Sequence, residues 1–161
     1  MILAVDPGLS GALARYDGQH LSVIDMPTYV RPAGKRQIDR RFIDEAELVR
    51  LVQMAGMEAD WLIMEAVGGI PAQSAPSAFT FGRGVGVIIG AAIGIGLKRE
   101  EVHPATWKSA LKVPADKRAA RARASELLPA YSGLWTRQKD DGRAEASLIA
   151  LWGWQVKGAL T

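Results

Sequence analysis

ILAVDPGLSGALARYDGQHLSVIDM, residues 2–26, is the stretch on which the fold turns. It opens on a short apolar run, residues 2–5, that Asp6-Pro7-Gly8 brings to a stop. Residues 11–16 and 20–26 read as two further strands, and Asp17-Gly18 between them is a strong hairpin signal. Three consecutive strands joined in this way predict an antiparallel meander at the start of the chain.

Working outward, residues 31–41 carry Arg31, Lys35, Arg36, Arg40 and Arg41, with Pro32 and Gly34 breaking regular structure. This reads as an exposed basic loop. Asp44 then caps a helix over residues 45–57, where Ala46, Leu48, Val49, Leu51, Val52 and Met54 form an apolar stripe. Residues 61–64 are a buried strand ending at Glu65, and a Gly/Pro/Ser segment, residues 68–76, leads to a long apolar helix over about 78–97. A short strand ends near Val102, and residues 104–111 make one or two helical turns. Residues 117–128 form an amphipathic helix, and a last helix runs from Asp141 through Trp154. Early antiparallel strands followed by alternation predict a mixed α/β sheet covered by helices, in one domain over residues 1–161.

The composition excludes several classes. Of 161 residues, 48% are hydrophobic and 23% charged, a globular rather than a disordered balance. The net charge of +3 and pI near 9.4 permit a polyanionic partner. The absence of cysteine removes disulfides and thiolate zinc sites. His20 and His103 are far apart, so a metal must be held by carboxylates, which favours a hard cation such as magnesium or manganese. The strand pattern starts at once, leaving no room for a signal peptide. The uncharged apolar stretch over residues 84–97 falls short of the roughly 20 residues that span a bilayer. The expectation is a cytoplasmic protein with no membrane partner.

Two acids sit at the ends of apolar strands, Asp6 and Glu65. A carboxylate there is costly to desolvate without a partner. If the two strands are neighbours, both carboxylates emerge at one edge, where a divalent cation compensates them. Asp140, Asp141 and Glu145 cluster at the start of the last helix, and Asp141 and Glu145, four apart, share a helical face. Asp141 alone also reads as a helix cap. Three or four convergent carboxylates are what two-metal phosphodiester hydrolysis requires.

The order Ala-Val-Asp6-Pro7-Gly8-Leu-Ser-Gly11, then Ile-Met-Glu65, then Asp141-Gly-Arg-Ala-Glu145-Ala resembles the RuvC family of Holliday-junction resolvases, nearest its phage and prophage branch. The resemblance covers nearly the whole chain, including Gly82-Arg83-Gly84 and Pro104-Ala-Thr-Trp-Lys108. It implies a ribonuclease H-like mixed five-stranded sheet and a homodimer that cuts four-way DNA junctions. It further implies Asp6, Glu65, Asp141 and Glu145 as ligands of two magnesium ions, with manganese able to substitute. Lys108 falls where the family has a functional lysine, and Lys117 matches a second. Two departures stand out. The best-known bacterial members place two aspartates three apart where this chain has Asp141 and Glu145 four apart, which leaves Asp140 as an alternative to Asp141. Gly68 and Gly69 occupy the stretch where those enzymes carry an aromatic wedge, so action on branched DNA more broadly is an open alternative to strict junction preference.

Gly86, Gly90 and Gly94, spaced by four, form a smooth strip on the long helix. Packing onto the sheet is the simpler reading and a dimer interface the sharper one. Arg36, Arg40, Arg83, Lys108, Lys117, Arg118 and Arg121 are the residues expected at DNA phosphates. Trp107 and Trp135 could stack on bases, although a tryptophan is more often a packing residue, and His103 reads as structural. Three rival functions remain. An ATPase of the actin and sugar-kinase type needs a second phosphate motif that this chain lacks. A nuclease of the same fold acting on RNA and a non-catalytic module binding branched DNA are the other two.

Overall fold

Side-chain alternation along the first strand sorts the rest of the structure. In β1 (Ile2–Asp6), Ile2 and Ala4 face one side and Leu3 and Val5 the other, all buried. A strand buried on both faces has to be central. In the computed structural model, which describes residues 1–31, 40–68 and 74–158, it is. Its partners are β2 (Ala12–Tyr16), β3 (Leu21–Asp25), β6 (Trp61–Glu65) and β7 (Lys98–Val102), in the order β3-β2-β1-β6-β7. The first three strands are antiparallel, as the meander predicted, and β6 and β7 join in parallel. At the first joint Gly18 takes a φ of +95°, while the Asp17 carboxylate accepts the Gln19 and His20 amides.

The basic stretch departs from expectation. Its two ends are strands, β4 (Thr28–Arg31) and β5 (Arg40–Ile43), paired antiparallel in a separate ribbon. Thr28-Tyr29-Val30 and Phe42-Ile43 are β-branched or aromatic, which favours pairing outside the reach of Pro32 and Gly34. Lys35 and Arg36 lie outside the described residues.

Helices α1 (Glu45–Gly56) and α2 (Ala75–Gly94) cover one face of the sheet, where Leu48, Val52, Ile88 and Ala92 meet Leu3, Val5, Leu62 and Met64. Asp44 caps α1 as expected, accepting the Glu47 amide at 3.1 Å. Ser74 caps α2, with Pro76 in its first turn, so this helix starts earlier than the hydrophobic pattern suggested. By length and composition α2 could cross a bilayer. Here it lies on the sheet, with Arg83 in its middle paired to Glu45. On the other face are α4 (Lys117–Leu127) and α5 (Asp141–Lys157), with α3 (Pro104–Ala110) following β7.

The glycine strip does not pack onto the sheet. Gly86, Gly90 and Gly94 are exposed, and a Cβ on any of them would meet nothing. Gly84 makes the close contact instead, where a Cβ would lie 2.5 Å from Ile43 Cδ1. On the opposite face α5 is seated by small residues. Ala4, Ala12 and Ala14 pave the sheet, and a Cβ at Gly153 would crowd Ile63 and Ile2. A Cβ at Gly142 would overlap the Ser10 carbonyl oxygen. Gly142→Ala is expected to cost about 1–3 kcal/mol, lowering Tm by roughly 2–10 °C in a thermal melt. Gly133→Ala, whose Cβ meets nothing, is the neutral control.

Candidate active site

β1 and β6 run parallel with Val5 opposite Met64, so the next residues, Asp6 and Glu65, stand side by side at the C-terminal edge. The period of two sends both towards α5, because Ala4 and Ile63, two residues earlier, face that side. The condition set by the sequence, that the two strands be neighbours, is met. The turn after Asp6 curls under it. Gly8 has a φ of +124°, the Gly11 amide donates to the Gly8 carbonyl at 3.1 Å, and a Cβ at Gly11 would collide with the Asp6 carbonyl. With Gly142 seated on this turn, the first turns of α5 bring Asp141 and Glu145 into the same cleft of about 1070 Å³ as Asp6.

Among the described residues, no hydrogen bond or ion pair reaches the Asp6 carboxylate. Burial pushes its pKa up to about 8, with Glu145 and Glu65 adding to the rise and Lys108 and Lys117 opposing it. Glu65 is also raised by burial, against the hydrogen bond that Trp107 Nε1 donates to it at 2.9 Å and the charge of Lys108. Trp107 is fully buried, so it orients Glu65 and has no face left for a base. His103 caps α3 through Nδ1, accepting the Ala105 amide at 3.3 Å, a structural role as expected. Lys108 lies 3.1 Å from Glu145 Oε1, its ammonium 5.0 Å from the Trp107 ring centre.

Asp140 and Asp141 differ sharply. Asp140 is buried and wholly engaged by Arg137, whose backbone amide and guanidinium donate to both its oxygens at 2.8–3.1 Å. That hydrogen bonding holds its pKa below the usual range. Asp141 has Arg121 Nε at 3.0 Å and Lys117 Nζ at 4.0 Å. Yet the Arg121 N–H is not aimed at it, and both Nε and Asp141 Oδ1 are buried without a hydrogen bond. Asp141 is the acid of the two with capacity to spare.

Of the residues expected at DNA, Lys117 lines this cleft. Lys117 and Arg118 are exposed on α4, whereas Arg121 turns inward to Asp141. Arg83 pairs with Glu45 at the surface. Of Arg40 only the backbone is described, and Arg36 lies outside the described residues. Trp135 is buried and donates to Ser125 Oγ at 3.0 Å, so it too is a packing residue. Arg41, expected only within a basic loop, ties β5 to the turn after Asp6, donating to Leu9 O at 2.6 Å and Ser10 Oγ at 2.9 Å.

Among the described residues, no three acidic or histidine side chains converge closely enough to cage a metal. Lys108 and Arg121 stand among them instead. The donor set still suits a hard cation. It is all oxygen, it includes an unpartnered Asp6 that resists ionisation, and Asp141 Oδ1 is a buried acceptor without a donor.

No protein-family model matches the sequence, and no curated protein matches it. Among solved structures, Thermus thermophilus RuvC aligns with a TM-score of 0.57 at 17% identity, over 98% of this chain and 96% of that one. T. thermophilus RuvC in complex with Holliday junction substrate aligns with a TM-score of 0.62 at 18% identity, over 97% and 95%. Near-complete coverage in both directions, with the strand order described above, establishes that this chain has the ribonuclease H-like fold of RuvC.

Proposed function

We propose that this protein is a divalent-cation-dependent endonuclease that resolves four-way DNA junctions. The observation that carries the reading is the register of β1 and β6, which sets Asp6 beside Glu65 on the face where α5 presents Asp141 and Glu145. Its likeness in fold to T. thermophilus RuvC, including the form bound to Holliday junction substrate, supports the substrate class.

Asp6, Glu65, Asp141 and Glu145 would hold the magnesium ions. Two such ions supply a metal-activated water and stabilise the leaving oxygen in phosphodiester hydrolysis. The protein's own groups do the rest. Trp107 fixes the Glu65 carboxylate through its N–H. Lys108, now on Glu145, is the cation nearest the acids from α3 and is placed to meet a scissile phosphate. Lys117 and Arg118 on α4 take up phosphates beside the cleft without reading sequence.

The exposed α2 strip, Gly82, Gly86, Gly90 and Gly94 flanked by Phe79 and Ile93, is assigned as the surface where two copies meet. Its lack of Cβ atoms allows close helix approach, and an apolar face repeated by a two-fold axis is self-complementary. Gly90→Arg is expected to turn a dimer into a monomer in light scattering and to uncouple paired nicks.

The direct test is cleavage of an immobile four-way junction beside linear duplex of the same sequence, with magnesium and with chelator. Paired, metal-requiring nicks in the junction alone are expected; equal cutting of duplex, or none of either, rejects the reading. Asp6→Asn should abolish cleavage yet raise metal-free stability at pH 8 and above by at least about 1 kcal/mol, roughly 2–4 °C. The sign follows from the raised pKa. The unfolded carboxyl releases its proton near 3.8 and the folded one near 8. Wild-type stability therefore falls across that window and the variant's advantage grows with it. Magnesium should raise the Tm of the wild type more than that of the variant.

A further inference from the structure

The β4–β5 ribbon carries an aromatic stack, exposed at Tyr29 and half-buried at Phe42, that none of the carboxylates touches. Tyr29 and Phe42 oppose each other across the strands, their ring centres 5.9 Å apart and planes 27° from parallel. The guanidinium carbon of Arg31 lies 5.6 Å from the Phe42 ring centre. Alternation puts Tyr29, Phe42 and Arg31 on one face of the ribbon. The other face holds it down, with Ile43 buried against Gly84 and Arg41 bonded to Leu9 and Ser10. The ribbon is thus anchored to the catalytic turn on one side and presents its rings on the other. Tyr29 is 43% exposed.

Phe42 also lines the cleft that holds Asp6, so the stack continues the cleft wall outward. Arg83 of α2 lies close enough for the Tyr29 phenol to act on its charge, although Glu45 dominates its surroundings. The Arg31 guanidinium lies over the Phe42 ring, whereas Arg83 is paired with Glu45. An apolar protein partner would desolvate the Arg31 cation with nothing in return. A nucleobase suits the site better, because its face stacks on an aromatic ring while arginines meet the flanking phosphates. An intact duplex offers no free base face, but a branch point does.

We infer that Tyr29 and Phe42 form a stacking platform for unpaired bases at the branch point of DNA held in the cleft, an inference that rests on the junction-nuclease reading. The test uses a four-way junction carrying 5-iodouracil at the branch nucleotides, bound in chelator and irradiated. Crosslinks in the wild type are expected to map to Tyr29 or Phe42. A Tyr29→Leu/Phe42→Leu variant should lose them and bind the junction about tenfold or more weakly, with duplex affinity within about twofold. A Tyr29→Phe/Phe42→Trp variant should keep both properties. Crosslinks that map elsewhere, or unchanged junction affinity in the leucine variant, overturn the platform and leave the nuclease reading standing. A leucine variant that changes oligomeric state instead assigns the rings to a protein contact and overturns it as well. A wild type that binds junction no better than duplex removes the nuclease reading and the platform together. If the leucine variant fails to fold, the wild-type crosslink map alone decides.

Discussion

Two parallel strands in register, each ending in a carboxylate that points to the same side, set the central problem of this structure. Asp6 and Glu65 lie where β1 and β6 leave the sheet, and burial raises the pKa of both. Like charges this close in a partly desolvated cleft are costly to ionise together. The elements around them read as responses to that cost. α3 delivers an indole N–H to Glu65 and an ammonium to Glu145, and α4 delivers Arg121 and Lys117 to Asp141.

The geometry of the acids is fixed by packing at a distance from them. α5 can bring Asp141 and Glu145 to the sheet edge only because Ala4, Ala12 and Ala14 leave room beneath it. Gly142 and Gly153 allow its backbone to meet the turn after β1 and the sheet itself, three helical turns apart. Arg143 adds a polar tie, gripping the Asp25 carboxylate at the end of β3 with bonds of 2.5 and 2.7 Å. A larger residue in this layer would lift the helix and carry two carboxylates with it. Close packing and site geometry are here one property.

Much of this was legible in the residues. Short apolar runs ending in Asp6 and Glu65 announced strand-end acids, and Asp17-Gly18 announced the hairpin. That the two strands are neighbours was not readable from either run, since pairing order is a long-range property; the ordered motifs supplied it by resemblance. Of the two readings of the α2 glycines, packing onto the sheet is the one the structure overturns, because a period of four marks a face without saying where it points. Gly84, outside that period, makes the contact. The ribbon is hard to see in the sequence because Pro32 and Gly34 interrupt the β-branched and aromatic residues on either side. Asp140 and Asp141 are separable only by their partners, and Arg137 takes Asp140 through a contact three residues away that sequence spacing permits but does not require. Trp107 offered a weak signal, an indole beside Lys108 just past a strand, and its N–H rather than its ring turned out to matter.

The pairing of acids with lysine and arginine bears on how such a site works. Acids gathered at one sheet edge cannot all stay ionised and bare, so the fold puts cations of its own among them. The fit of those cations is incomplete in an informative way. Lys108 makes a hydrogen bond to Glu145 at 3.1 Å, but Arg121 sits 3.0 Å from Asp141 with its N–H directed elsewhere, and Asp6 has no partner among the described residues. An ion pair lacking its hydrogen bond gains charge neutrality and little else. On the proposed reading, that is what a metal site requires of its counterions. They must hold the carboxylates together in the folded protein, yet bind them weakly enough to yield when a divalent cation and a phosphate arrive. On that reading Lys108 would exchange one oxyanion for another, from Glu145 to the DNA backbone, with its charge satisfied at both ends.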